Sequence, residues 1–435
     1  MMRSAIHWLL VSFFLAPAAS GLAEDFTTYK GHGGPIMGLA VSGDDQLASA
    51  SFDNSVGLWT RHGPRAVPDW LEGHDGAVTA LAFTPSGELI SGGDDFAVRL
   101  WGTSRRVLGQ HKGKVTSLAV SPDGAVVASG SWDGEIVLWP LRDQAASAVE
   151  LAYPGAGVNT VAFDPTGKTL FAATSKGVVL RYDLETNEVP RPLARHGFGV
   201  NRLVLGKGWL AYGAVDGGTR VIDPLTGDQI ADFTLDRRPI LAMAHHSATA
   251  QIAVGDGHGY IMMIDTKAWQ ITHDFRAMRQ GPVWALAFSQ DGQTIHAGGL
   301  DDVIYAWPVD LLDAFDPAGG EVRSFLRAAE TMPNGERQFM RKCSICHALE
   351  AGPSRKAGPT LHAVFGRPAG TVKGYRYSDT LNGSEIVWDE TTIDALFDQG
   401  PDHYIPGSKM PMQVISGAND RADLISFLKE ATRED

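Results

Sequence analysis

Cysteine is nearly absent from this chain. Only two of its 435 residues are Cys, and both fall inside one short stretch, so no site built from four thiolates can form. Long apolar runs are missing beyond the first two dozen residues, and no later segment offers the ~20 apolar residues that a membrane span requires. Positive charge is in deficit. Lys and Arg number 37 against 50 Asp and Glu, a net charge of −13 at pH 7, which argues against nucleic acid or an anionic membrane surface as a partner. Aromatic residues are not interleaved with basic runs, so a nucleic-acid footprint is lacking as well. What remains is ordinary for globular protein, 44% hydrophobic and 20% charged, and long enough for two or three domains.

The one strongly apolar run opens the chain. Arg3 precedes Trp8-Leu9-Leu10-Val11-Ser12-Phe13-Phe14-Leu15-Ala16, and Gly21-Leu22-Ala23 supplies small residues before Glu24. This is the pattern of a secretory signal over residues 1–23, and the run is shorter than a membrane anchor needs. The mature chain is therefore expected to be exported and soluble, without an integral membrane segment.

From residue 24 to 310 the sequence repeats. Ser51-Phe52-Asp53-Asn54-Ser55-Val56-Gly57-Leu58-Trp59 has its counterpart in Ser131-Trp132-Asp133-Gly134-Glu135-Ile136-Val137-Leu138-Trp139 and again in Leu300-Asp301-Asp302-Val303-Ile304-Tyr305-Ala306-Trp307. Aligned on the last residue, the units end at Trp59, Trp101, Trp139, Tyr182, Ile222, Ile264 and Trp307. Units of about forty residues, seven of them, resemble a WD-repeat β-propeller. Gly-His pairs precede alternating apolar strands, and Asp53, Asp95, Asp133, Asp216 and Asp301 stand six positions before their unit's end. The resemblance implies that each such Asp bonds the His of its own blade, as in Asp53 with His32, Asp95 with His74 and Asp133 with His111. Lys176 and His258 depart from the pattern. The segment Phe26–Lys30 is expected to complete the last blade and close the ring. This region lacks a nucleophile motif, a phosphate loop and distinctively spaced paired carboxylates. His245, His246 and His258 form a loose group that reads either as surface histidines or as a second ligand site.

Asp316-Pro317-Ala318-Gly319-Gly320 breaks the periodicity. Residues 311–330 are therefore assigned to a linker, in which Glu321–Glu330 has helical spacing. Beyond it lies Cys343-Ser344-Ile345-Cys346-His347. C-x-x-C-H is the spacing for covalent c-type haem attachment: two thiols form thioethers to the vinyl groups, and the adjacent imidazole reaches the iron. The competing readings are a dithiol redox pair, for which no thioredoxin-like βαβ pattern is present, and a zinc site recruiting His347 and a distant residue.

From 331 to 435 the chain resembles a class I cytochrome c. Gly335-Glu336-Arg337-Gln338-Phe339 resembles the family's first helix, and Asp420–Leu428 its last. The resemblance implies that these two helices cross at Gly335, with Phe339 against Leu424 and Phe427. Tyr404-Ile405-Pro406-Gly407-Ser408-Lys409-Met410 resembles the loop delivering the second axial ligand, which makes Met410 the expected partner of His347 at the metal, with Met412 as its rival. His362 and His403 are further ligand candidates. By the same resemblance the Pro359 carbonyl accepts from the proximal imidazole, and Arg367, Tyr377 and Trp388 hold the haem propionates. Leu381 stands where the family commonly has Asn. Asp402-His403 replaces a lysine pair used for docking, so the docking surface is expected to differ.

The expected architecture is thus multi-domain, an all-β seven-bladed propeller followed by an all-α class I cytochrome c domain. The expected function is periplasmic single-electron transfer through one covalent haem c, with redox proteins docking on the propeller and at the haem edge. The alternatives are an oxidoreductase whose propeller hosts a separate active site and whose cytochrome accepts its electrons, and a haem-based sensor in which Met410 leaves the iron.

Overall fold

The structure is a computed structural model that describes residues 27–59, 66–143, 145–151, 155–186, 189–235, 239–312, 331–352 and 354–433. The signal segment, Phe26, the Asp316–Gly320 break and the Glu321–Glu330 segment lie outside the described residues.

Residues 27–308 form seven four-stranded antiparallel sheets, the blades of one propeller. Six blades take their strands in sequence order. The seventh combines Val283–Phe288, Thr294–Gly299 and Val303–Pro308 with the strand Thr27–Lys30 from the start of the chain. Thr27 pairs with Ala306 and Lys30 with Val303, so the ring is fastened by an antiparallel ladder that also removes an open edge.

Small residues set the spacing between blades. Near the end of each second strand stands Gly or Ala, and against it packs a β-branched residue that begins the next blade's inner strand. A Cβ on Gly92 would lie 2.4 Å from Val115, one on Gly130 2.6 Å from Val158, one on Gly213 2.2 Å from Ile240, and one on Gly298 2.5 Å from Ile36. The contact closes the ring from the seventh blade onto the first. Inner strands are also tied by side chains at the bulges where pairing slips, between Val115 and Ser117 for example. Thr116 donates to the Val158 carbonyl at 2.6 Å, Asn159 to Val200 at 3.0 Å and Asn201 to Ile240 at 2.9 Å.

Within the first three blades a buried polar relay joins the strands. His32 Nδ1 donates to Asp53 at 2.9 Å, and its Nε2 accepts from the Ser49 hydroxyl at 2.7 Å. Ser49 in turn accepts from Trp59 Nε1 at 2.8 Å; the carboxylate fixes the tautomer. His74, Asp95, Ser91 and Trp101 repeat the arrangement, as do His111, Asp133, Ser129 and Trp139. Blade five keeps the His–Asp contact, His196 Nε2 with Asp216 at 2.8 Å, and places Tyr212 against the other ring nitrogen at 3.5 Å. In blade seven Asp301 accepts from Tyr305 instead of a histidine, at 2.5 Å. Where blades five and six lose the terminal Trp, Trp209 fills the space, edge-on to Trp269 and His245.

Residues 331–433 form a helical domain. The helices are α1 (Asn334–Lys342), α2 (Glu390–Gln399), the single turn α3 (Pro401–Tyr404) and α4 (Ala418–Ala431). Helices α1 and α4 cross at Gly335, where a Cβ would come within 2.1 Å of the Asp423 carbonyl oxygen. Phe339 then packs against Phe427, ring centroids 5.5 Å apart, in a core shared with Leu424. Arg421, nearly buried on α4, pairs with Asp394 and Asp398 of α2 and locks these two helices together. Among the described residues, no helix is long and apolar enough to cross a membrane.

Candidate functional site

Helix α1 ends at Cys343, and the chain turns tightly through the motif: Cys346 N donates to Cys343 O at 3.0 Å and His347 N to the same oxygen at 2.8 Å. One turn thereby brings two thiols and an imidazole to a single wall. They open onto a cavity of about 370 Å³ that is also lined by Pro359, Arg367, Tyr377, Trp388 and Met410. All eight residues singled out in the sequence therefore meet in one place. The remaining walls are largely apolar, among them Leu361, Val364, Leu381, Ile393, Leu396, Phe397 and Ile405.

The imidazole is held from behind. His347 Nδ1 donates to the Pro359 carbonyl at 2.8 Å, which leaves the Nε2 lone pair as the metal-binding atom. Burial pushes the His347 imidazole below its usual pKa, so the ring stays neutral at pH 7 and can ligate. Gly358 makes the approach possible, since a Cβ there would lie 2.4 Å from the ring.

The thiols behave differently from a redox pair. Burial, and then the neighbouring Cys346, push the Cys343 pKa up to about 12, and burial raises Cys346 as well. Dithiol oxidoreductases need a depressed thiol pKa. This pair lies on the opposite side, which argues against disulfide exchange.

Met410 is placed by a loop with its own anchors. Thr380 Oγ1 donates to Pro406 O at 2.7 Å, Gly407 takes a left-handed φ of 80°, and Met410 N donates to Ser408 Oγ at 3.1 Å. The rival Met412 is 62% exposed and lies outside the cavity lining. His362 and His403 also lie outside the lining, and His403 pairs with Asp402 at the surface, at 3.1 Å. Arg367 spends two donors on backbone, to His362 O at 2.7 Å and Thr360 O at 2.8 Å. Tyr377 accepts from Val372 N at 3.3 Å.

The sequence reading missed Tyr375. It lines the cavity, donates to Ala357 O at 2.7 Å and packs edge-on against Tyr377; the Tyr-x-Tyr spacing was the available signal. It also missed a whole wall. Phe52, Asn54, Asp75, Gly76, Ala77 and Asp94, all from the first two blades, border the same cavity.

The histidines of blade six do not converge. His245 packs on Trp209, and His246 bonds Thr249 at 2.8 Å and the Gln290 carbonyl at 3.1 Å. The group with metal-ligating proximity among the described residues is His111, Asp133 and Glu135. There His111 is already engaged by Ser129 and Asp133, and Glu135 by Lys112.

Comparison with known families agrees with this geometry. The cytochrome c family matches residues 333–432, and the WD domain, G-beta repeat family matches residues 24–60, 67–101, 102–140 and 269–308. A cytochrome c of Sesamum indicum is 43% identical over 100 residues, covering 23% of this chain and 88% of that protein. The chain belongs to the cytochrome c family. The cytochrome c of Ginkgo biloba is 41% identical over 101 residues, 23% of this chain and 88% of that protein. That of Cochliobolus lunatus is 42% identical over 99 residues, 23% and 91% respectively. The chain is thus a fusion of a seven-bladed WD-repeat propeller with a C-terminal cytochrome c domain. A cytochrome c domain binds haem, and the residues present fit that group. The cavity is apolar, two free thiols and a neutral imidazole share one of its walls, and a thioether also faces it.

Proposed function

We propose that the protein is an exported, periplasmic one-electron carrier holding one covalent haem c, with the propeller as its protein-docking platform. The observation that carries this reading is the presence of His347 and Met410 in the lining of one cavity with Cys343 and Cys346. When bound, haem c supplies the one-electron couple. Cys343 and Cys346 would hold it by thioethers, and His347 and Met410 would ligate its iron. A thioether donor would favour reduced iron, and the Pro359 carbonyl, accepting from His347 Nδ1, would make that imidazole a stronger donor. Arg367, Tyr377 and Trp388 would face the propionates.

The platform reading draws on exposed anchors. Trp132 and Phe198 are 60% and 59% exposed, and Val215 lies near them around Gly157, Ser175 and Gly199. Large aromatics of this kind dominate binding energy at interfaces. Trp132 and Val215 occupy the position that Phe52 holds in the first blade, each directly before the turn Asp, so they share its face of the ring. Periplasmic location rests on the N-terminal signal pattern together with the attachment motif.

Cofactor analysis joined to a potentiometric titration tests the proposal. One iron per chain, haem that resists acid–acetone extraction, and a single one-electron wave in a protein recovered from the periplasm are expected. Extractable haem, or a second cofactor that titrates with it, contradicts the reading.

A further inference from the structure

The haem cavity is bordered on one side by the propeller. Blades one and two form part of its rim, and the contact is electrostatically matched. Three cations flank the cavity on the cytochrome side. Arg355 lies between the attachment motif and Pro359, Arg376 between Tyr375 and Tyr377, and Lys409 next to Met410. Each finds a carboxylate on the propeller. Arg355 reaches Glu72 at 2.9 Å, while its guanidinium lies over the Trp70 ring at 3.8 Å from the centroid. Arg376 pairs with Asp75, and Lys409 reaches the same Asp75 oxygen at 2.9 Å. The fit is also steric: a Cβ on Gly33 would stand 2.3 Å from the Arg355 main chain.

We propose that the acidic face of blades one and two is a docking surface whose occupant is this chain's own haem edge, and that external redox proteins reach the haem only when that contact opens. The proposal rests on the carrier reading above. Its physical basis is the contrast between what the contact covers and how weakly it is held. While blades one and two border the mouth, they take up space that a second protein would need on that side of the edge. Yet two of the three pairs, Asp75 with Arg376 and Glu72 with Arg355, are more than half-exposed on one side, and the third, Asp75 with Lys409, is partly exposed on both. Such pairs are individually weak and are screened over a Debye length of about 10 Å at 0.1 M salt. A contact built this way docks and releases; it is not a fused core. Asp402-His403 stand where the resemblance puts a lysine pair, and the positive rim here is supplied by Arg355, Arg376 and Lys409.

The test uses the full-length holoprotein in two variants that attack the contact by different means. Asp75→Asn removes charge, and Gly33→Val adds bulk without changing charge. Two quantities are read at low and high salt: amide hydrogen exchange in residues 75–77, 355–358 and 375–377, and the rate at which a neutral quinone oxidises the reduced haem. The expected result is several-fold faster exchange and oxidation in both variants at low salt, with wild type approaching them at high salt. Exchange and oxidation unchanged in both variants and unaffected by salt overturn the proposal. Faster exchange with an unchanged oxidation rate also overturns it, because the cover would then not limit access. A one-electron titration of the same samples keeps the two claims apart. A normal wave with no effect of either variant discards the docking claim and leaves the carrier reading intact.

Discussion

His347 Nδ1 and the Pro359 carbonyl oxygen lie 2.8 Å apart, and the residue between motif and acceptor that permits this is Gly358. The imidazole is thereby oriented before any ligand arrives, with its tautomer fixed by a backbone oxygen that no side-chain substitution removes.

That orientation depends on space at Gly358. In Gly358→Ala the new methyl would lie 2.4 Å from His347 Cε1 and 2.7 Å from Nδ1. Overpacking of this kind costs about 1–3 kcal/mol. The variant is expected to carry less attached haem per chain and to unfold at lower temperature, as pyridine haemochrome absorbance and a thermal melt would measure. Wild-type haem content and melting temperature would show that the ring has room to move.

The two methionines should separate cleanly. Met410→Ala removes the cavity-lining thioether, and the reduction potential is expected to fall by on the order of 100 mV, a roughly fifty-fold change in the one-electron equilibrium. Met412→Leu, at a site 62% exposed, is expected to leave the potential where it was. Potentiometric titration of both variants decides; a large shift in the Met412 variant alone reverses the assignment.

Inter-blade packing offers a prediction remote from the haem. Val in place of Gly213 would overlap Ile240, whose Cγ2 lies 2.2 Å from a Cβ there. Gly213→Val is expected to lower stability by about 1–3 kcal/mol. Adding Ile240→Ala should recover part of the loss, giving a non-additive double-mutant cycle in urea denaturation. Strict additivity would mean the two positions do not share a socket.

Acid should loosen the propeller in two stages. Burial acts to raise Asp53, Asp95, Asp133 and Asp216, but hydrogen bonds from histidines and backbone amides outweigh it, and all four carboxyls lie below their usual value. Their stabilisation is complete above the unfolded carboxylate value of about 3.9 and is lost as pH falls through the lower folded values. His111 is depressed by burial. Its contribution is complete above the unfolded value of about 6.5 and declines as pH falls below it, because the unfolded chain takes up the proton first. Urea midpoints followed by far-UV circular dichroism should therefore fall between pH 7.5 and 5.5 and again near pH 3.5. A midpoint that rises on acidification contradicts the relay's role.

Period and motif carried most of this architecture at the level of sequence. The Asp–Trp phrases marked four blades and the forty-residue period the other three, Thr27–Lys30 did close the ring, and the Gly335 crossing followed from family resemblance. The serines of the relay went unread because Ser49, Ser91 and Ser129 sit in strands of small residues, where a hydroxyl looks like filler. Tyr305 as the partner of Asp301 was equally hidden, since it replaces a histidine with a residue from a different strand. The contact between the cavity rim and the propeller was beyond reach for a simpler reason. Glu72 and Asp75 meet cations 283 to 334 positions away, and no local pattern marks such pairs.

Carbon monoxide titration of the reduced holoprotein at neutral pH tests the central claim most directly. If His347 and Met410 both ligate the iron, as proposed, the Soret absorption should not change as the gas is added. Stoichiometric conversion to a carbon monoxide adduct would show an open iron and contradict the electron-carrier account.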